Sequence, residues 1–133
     1  MAFQFSVATR NAAIDAIETA IGAAPTLEIR SGAVPANAAA ADSGTVLATL
    51  ALPSDWLSAA SNGSKTLLGS WTDAAADAAG TAGHFRIKAS TTCHIQGTVT
   101  ITGGGGDMTL DNTNIAAGQQ IVITAFTLTA GGA

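Results

Sequence analysis

The 133-residue sequence is short of charge: Asp, Glu, Lys and Arg make up 11% of it, against roughly a quarter in ordinary soluble domains. Its surface must therefore be dressed in Ser, Thr, Asn, Gly and Ala. Such groups lose little when water is removed, which suits permanent packing against other subunits. Basic residues are scarcer still. Arg10, Arg30, Lys65, Arg86 and Lys88 are spread along the chain, and the net charge is −4. Replacing phosphate counterions takes clustered cations, and Arg86 with Lys88 is the nearest approach to a cluster, so no nucleic-acid partner is expected. A single cysteine, Cys93, rules out an internal disulfide. No apolar run approaches the ~18 residues that cross a bilayer. The N-terminus also lacks the basic-then-apolar layout of a signal peptide, so no membrane partner is expected either, and the chain is expected to be made and to fold in a cytoplasm.

What is present divides by period. Residues 1–24 read as an N-terminal segment and an amphipathic helix, with Val7, Ile14, Ile17 and Ile21 on one stripe, Ser6 as cap and Gly22 and Pro25 as stop. From Thr26 the period becomes two, so residues 25–133 read as the β part of one compact domain. "TLEIR" points Leu27 and Ile29 inward and Glu28 and Arg30 outward. "SGAVPANAAAADSG" is a loop or flexible arm. "TVLATLAL" puts Val46, Ala48, Leu50 and Leu52 on one face, and "PSDWLSAASNG" reads as a short second helix whose Trp56 plugs one end of the core. "HFRIKA" turns Phe85 and Ile87 inward and His84, Arg86 and Lys88 outward, and the last strand changes phase near Thr124 and Ala125, where a β-bulge is expected. Short strands at regular spacing give the expected fold: mainly β, an antiparallel β-sandwich or jelly-roll-like barrel with an N-terminal amphipathic α-helix and a short second helix.

The stretch "TTCHIQGTVTITGGGGDMTLDNTN" gathers a thiol, an imidazole, four glycines and two aspartates. On a strand, adjacent Cys93 and His94 point to opposite faces, so they cannot form a thiolate–imidazole pair. Cys93 is then expected among apolar neighbours, as a small hydrophobe. His84 and His94 share the outward face. Zinc needs further ligands, and Asp73, Asp77 and Asp107 lie in loops. "GGGGD" lacks the Lys-Ser/Thr of a phosphate loop and reads as the turn of a hairpin. "DNTN" fails calcium-loop spacing and reads as an Asx turn. With no acid–base pair recognisable, the expectation is a non-enzyme without catalytic, cofactor or metal residues.

The phrases "RNAAIDAIETAIG", "LPSDW", "GTAGHFRI", "TTCHIQGTV" and "DMTLDNTNIAAGQ", in this order, resemble a group of small virion structural proteins encoded among the head and tail genes of tailed bacteriophages. The resemblance runs from the N-terminal helix to the last strand and carries no catalytic or ligand motif. It implies a capsid decoration (cement) protein on the virion's outer head surface, bridging subunits of the major capsid protein and self-associating, a trimer being favoured. Phe3, Phe5 and the "SGAVPANAAAADSG" loop are the expected contacts. A tail, connector or fibre component is the alternative within that class. A host-glycan module using Trp71, His84 and His94 is the alternative outside it.

Overall fold

The computed structural model describes residues 3–133, so the first two positions of the N-terminal segment lie outside the described residues. Helix α1 (Val7–Ile21) comes first. The strands follow: β1 (Thr26–Ser31), β2 (Val46–Ala51), β3 (Ser64–Thr66), β4 (Trp71–Asp73), β5 (Gly80–Ala89), β6 (Thr92–Ile101), β7 (Met108–Leu110), β8 (Asn114–Ile115), β9 (Ile121–Ile123) and β10 (Thr127–Thr129).

The ends of α1 follow from its flanking residues. The Ser6 hydroxyl accepts from Thr9 N at 3.1 Å, and Gly22, at φ +91°, turns the chain while its N–H donates to Glu18 O at 2.9 Å. The apolar stripe is narrower than its spacing predicts. Ile14 and Ile21 are buried, whereas Val7 and Ile17 are 44% and 42% exposed.

The principal sheet runs β2-β1-β5-β6-β7, with β8 alongside β5. It curls into a half-barrel. Two ribbons, β3–β10 and β4–β9, complete the strands. The fold is thus mainly β with one helix among the described residues. Leu27 pairs with Leu50 and with Ile87, and Ile29 with Ala48 and Phe85, so the inward residues of three strands stack in rows. A bulge opposite Ile29 and Arg30 brings Leu47 into the core as well. The ribbons contribute Trp71, Ile121 and Ile123 to the same core, and α1 contributes Ile21. Trp71 links the rings, 6.1 Å from Trp56 and 5.3 Å from Phe126. Trp56 plugs the core as expected, its indole N–H donating to Gly22 O at 3.0 Å.

Three expectations are corrected. No helix forms over 53–63. Trp56 and Leu57 are both buried there, and the backbone pairs instead with the chain ahead: Ser58 N donates to Thr66 O and Leu68 N to Trp56 O. A helix of two turns gains too little to compete with that pairing. The glycine run does not make a hairpin, because β7 lies parallel to β6, with Val99 opposite Met108. The chain loops back on itself, and Asp107 ties the return by accepting from Thr98 N at 2.9 Å. The phase change near Thr124 is a change of partner rather than a bulge: β9 pairs with β4 and β10 with β3.

Candidate functional site

The sequence places Glu28, Arg30, His84, Arg86 and Lys88 on the outward face of β1 and β5, and so they are, but the outward face is not solvent. Arg30, His84, Arg86 and Lys88 are all buried. Residues 31–44, expected as a loop or flexible arm, fold down as a strap over this face. The strap's course can be followed from its bonds. Gly32 O lies 3.0 Å from His84 Nδ1, Pro35 O accepts from Gln96 Nε2 at 2.8 Å, and the carbonyls of Asn37, Ala38 and Ala40 accept from the Arg86 guanidinium. The chain thus crosses from β1 over β5 to β6 and returns. Ser31 N then donates to Thr45 O at 3.0 Å, closing the base of the loop in the manner of a compact Ω-loop.

Asp42 pins the return leg. Its carboxylate lies 2.5 Å from Arg86 NH1, 2.5 Å from Lys88 Nζ and 3.2 Å from Arg30 NH2, while Glu28 takes a second bond from Arg30 and from Lys88 at 2.9 Å each. The Lys88 hydrogen bond lowers the Asp42 carboxyl from 3.8 to about 2, with partial burial opposing it and Arg86 and Arg30 assisting. Burial pushes the Lys88 ammonium down, but its bonds to Asp42 and Glu28 outweigh that and raise it above its ordinary value. Lys65 follows the same pattern: burial lowers its pKa, while Asp15 and Glu18 of α1 more than compensate, clamping the helix onto β3.

Cation placement gives the surface its character. Arg30, Lys65, Arg86 and Lys88 are buried and Arg10 is half-buried, whereas Asp15, Asp42, Asp55, Asp77, Asp107 and Asp111 are exposed. The outer charge is mainly acidic, with Arg10 the one cation partly at the surface among the described residues. Four of the seven exposed large apolar side chains among the described residues lie at the N-terminal end, where Phe3 is 72% and Phe5 49% exposed and Val7 and Ile17 join them; Leu68, Ile101 and Val122 are exposed singly on the β part. A groove of about 490 Å³ runs beside α1, with Phe5, Arg10, Ala13, Ile17 and Ala130 in its walls.

The other sequence candidates are not brought together. A bulge in β6 sets Lys88 opposite Cys93 directly after Ile87 opposite Ile95, leaving His94 as the extra residue. Cys93 therefore falls on the polar side, half-buried, contrary to the apolar placement its alternation predicts. It shares a cleft of about 590 Å³ with Asp42 and Arg86, and its thiol contacts Ile95 O at 3.3 Å; no imidazole lines that cleft. His84 is fully buried and His94 exposed, so the expectation that both histidines sit on one outward, exposed face fails at His84. Asp73 accepts from Thr49 N and Ala75 N, and Asp77 from the Thr49 hydroxyl, while Asp107 lies at the β6–β7 return. Among the described residues no three His, Cys, Asp or Glu side chains are grouped to hold a metal. No described helix is long and apolar enough to cross a membrane.

Sequence reasoning missed the strap. One signal was there: in a charge-poor chain, three cations and an acid at alternating strand positions need counter-ions, and Asp42 is the lone acid of the adjacent loop. Comparison of the chain with known protein families, curated proteins and solved structures finds no match in any of the three.

Proposed function

We infer that the chain is a structural protein of a bacteriophage virion, a capsid decoration (cement) protein that docks on the outer head surface and bridges subunits of the major capsid protein. The observation that carries this reading is the group of four exposed apolar side chains, Phe3, Phe5, Val7 and Ile17, on the N-terminal segment and α1. Phe3 and Phe5, at 72% and 49% exposure, offer roughly 250 Å² of ring surface, or ~6 kcal/mol per copy before association costs. The mainly acidic exterior adds two things. It repels nucleic acid, and it favours a partner that supplies the cations. The half-barrel and the two ribbons that share its core are read as a jelly-roll-like shell, antiparallel except at β6–β7, rigid enough to staple neighbouring subunits. Self-association, with a trimer favoured, would place equivalent apolar ends around a local three-fold point of the shell.

The glycan alternative loses its platform, since Trp71 and His84 are fully buried. The tail, connector or fibre alternative differs in location, so the test reads location. Quantitative protein analysis of purified heads and tails should find hundreds of copies on heads, and heads lacking the protein should lose thermal resilience. A handful of copies confined to one vertex or to the tail would refute the decoration role.

A further inference from the structure

Among the described residues, four buried side-chain polar atoms have no hydrogen-bond partner in the protein: Arg10 Nε, His84 Nε2, Arg86 Nε and Gln96 Oε1. Three of them lie in one patch beneath the strap. Arg86 and Gln96 are direct cross-strand partners on β5 and β6, and His84 stands two residues before Arg86 on the same face. Such a concentration is unusual, because buried polar atoms without a partner are rare and scattered in native proteins.

The chemistry of each atom is fixed by what its side chain already bonds. The atom facing His84 Nδ1 is a backbone carbonyl, Gly32 O at 3.0 Å, which can only accept. Nδ1 must therefore carry the proton, and in the neutral ring Nε2 is a bare acceptor. Gln96 faces Pro35 O, again a carbonyl, so its NH₂ points there and Oε1 is left as an acceptor. Arg86 NH1 and NH2 are engaged with the strap and Asp42, leaving the Nε–H as a donor. The patch thus offers one donor and two acceptors.

That combination selects its ligand. A metal cation is repelled by the guanidinium, and an anion meets two lone pairs for a single donor. An apolar side chain would leave all three atoms unmet. A molecule that both accepts and donates satisfies them, and three bonds is the number a buried water typically makes. The geometry points to a water-binding site sealed beneath the strap, in which water accepts from Arg86 Nε–H and donates to Gln96 Oε1, and reaches His84 Nε2 directly or through a second water. The site makes water a part of the strap's seat, beside the direct bonds that His84, Arg86 and Gln96 make to its carbonyls. This does not depend on the capsid reading.

Two measurements test it on the full chain. A crystal structure at a resolution that shows ordered solvent should place a water ~2.7–3.2 Å from Arg86 Nε. Water magnetic relaxation dispersion in solution should count at least one long-lived internal water in the wild type and fewer in Gln96→Leu, which removes an acceptor at similar volume. A protein atom occupying that position at Arg86 Nε, or no ordered density there, would overturn the inference. An unchanged count of long-lived waters in a folded Gln96→Leu would overturn it as well. Should that variant not fold, the wild-type crystal structure and its dispersion amplitude decide alone.

Discussion

Asp42 carries more of the structure than its exposure suggests. One half-exposed carboxylate meets Arg30, Arg86 and Lys88 at once, and those three cations are themselves buried. Removing it leaves Glu28 to answer for Arg30 and Lys88, and leaves Arg86 with strap carbonyls alone. Breaking a fully buried pair costs about 3–5 kcal/mol, and solvent screening at Asp42 reduces this, so Asp42→Asn is expected to destabilise by about 1–3 kcal/mol in denaturant unfolding. Asp55→Asn, at an exposed carboxylate outside the cluster, should stay within about 0.5 kcal/mol. The pH dependence has a definite sign. Asp42 titrates at about 2 folded against 3.8 ordinarily, so its contribution is complete above 3.8 and is lost as pH falls from there towards 2. Lys88 is raised, so its contribution is complete below 10.5 and is lost only in more alkaline solution. Thermal melts should therefore show an acid loss in the wild type that is smaller in Asp42→Asn.

At the scale of elements, the strap depends on close backbone approach. A Cβ added at Gly83 would stand 2.2 Å from Gly32 O, so no side chain fits between β5 and the strap there. Gly83→Ala should lift that leg, cost about 1–3 kcal/mol, and raise hydrogen exchange at Ser31, whose N–H closes the loop base at the end of β1, while the amides of Leu27 and Ile29 deeper in the β1–β5 ladder stay protected. Equal protection at Ser31 in both proteins would remove the strap's dependence on this contact. The strands were legible because Leu27 with Ile29 and Phe85 with Ile87 alternate cleanly with charged neighbours. The strap was not, because alanine and proline carry no period and its bonds are made by backbone carbonyls that any sequence possesses. Cys93 was misplaced for a related reason. A bulge shifts phase by one residue, and nothing in "TTCHIQ" announces where the extra residue sits. The parallel return of β7 was hidden likewise, since a glycine run permits a hairpin and a fold-back equally.

For the whole molecule, charge and apolarity are segregated. Cations are drawn inward to Asp42, Glu28, Asp15 and Glu18, acids face outward, and four of the seven exposed large apolar side chains among the described residues lie on α1 and the segment before it. Charge scarcity was readable from composition, and the expectation of an N-terminal contact surface came from Phe3 and Phe5 in the sequence; the burial of four of the five cations needed three dimensions. Like-charged exteriors discourage random clumping, leaving the apolar end to direct association. Sedimentation of the free protein should report the self-association expected of it, weakened when Ile17 is changed to Ser. Titration of purified protein onto phage heads that lack it tests the decoration role most directly. A decoration protein should bind saturably at hundreds of sites per head, and the double variant Phe3→Ser, Ile17→Ser should lose roughly tenfold or more in affinity, ~1.4 kcal/mol. Absence of binding to heads, or binding that this double variant leaves unchanged, would contradict that role.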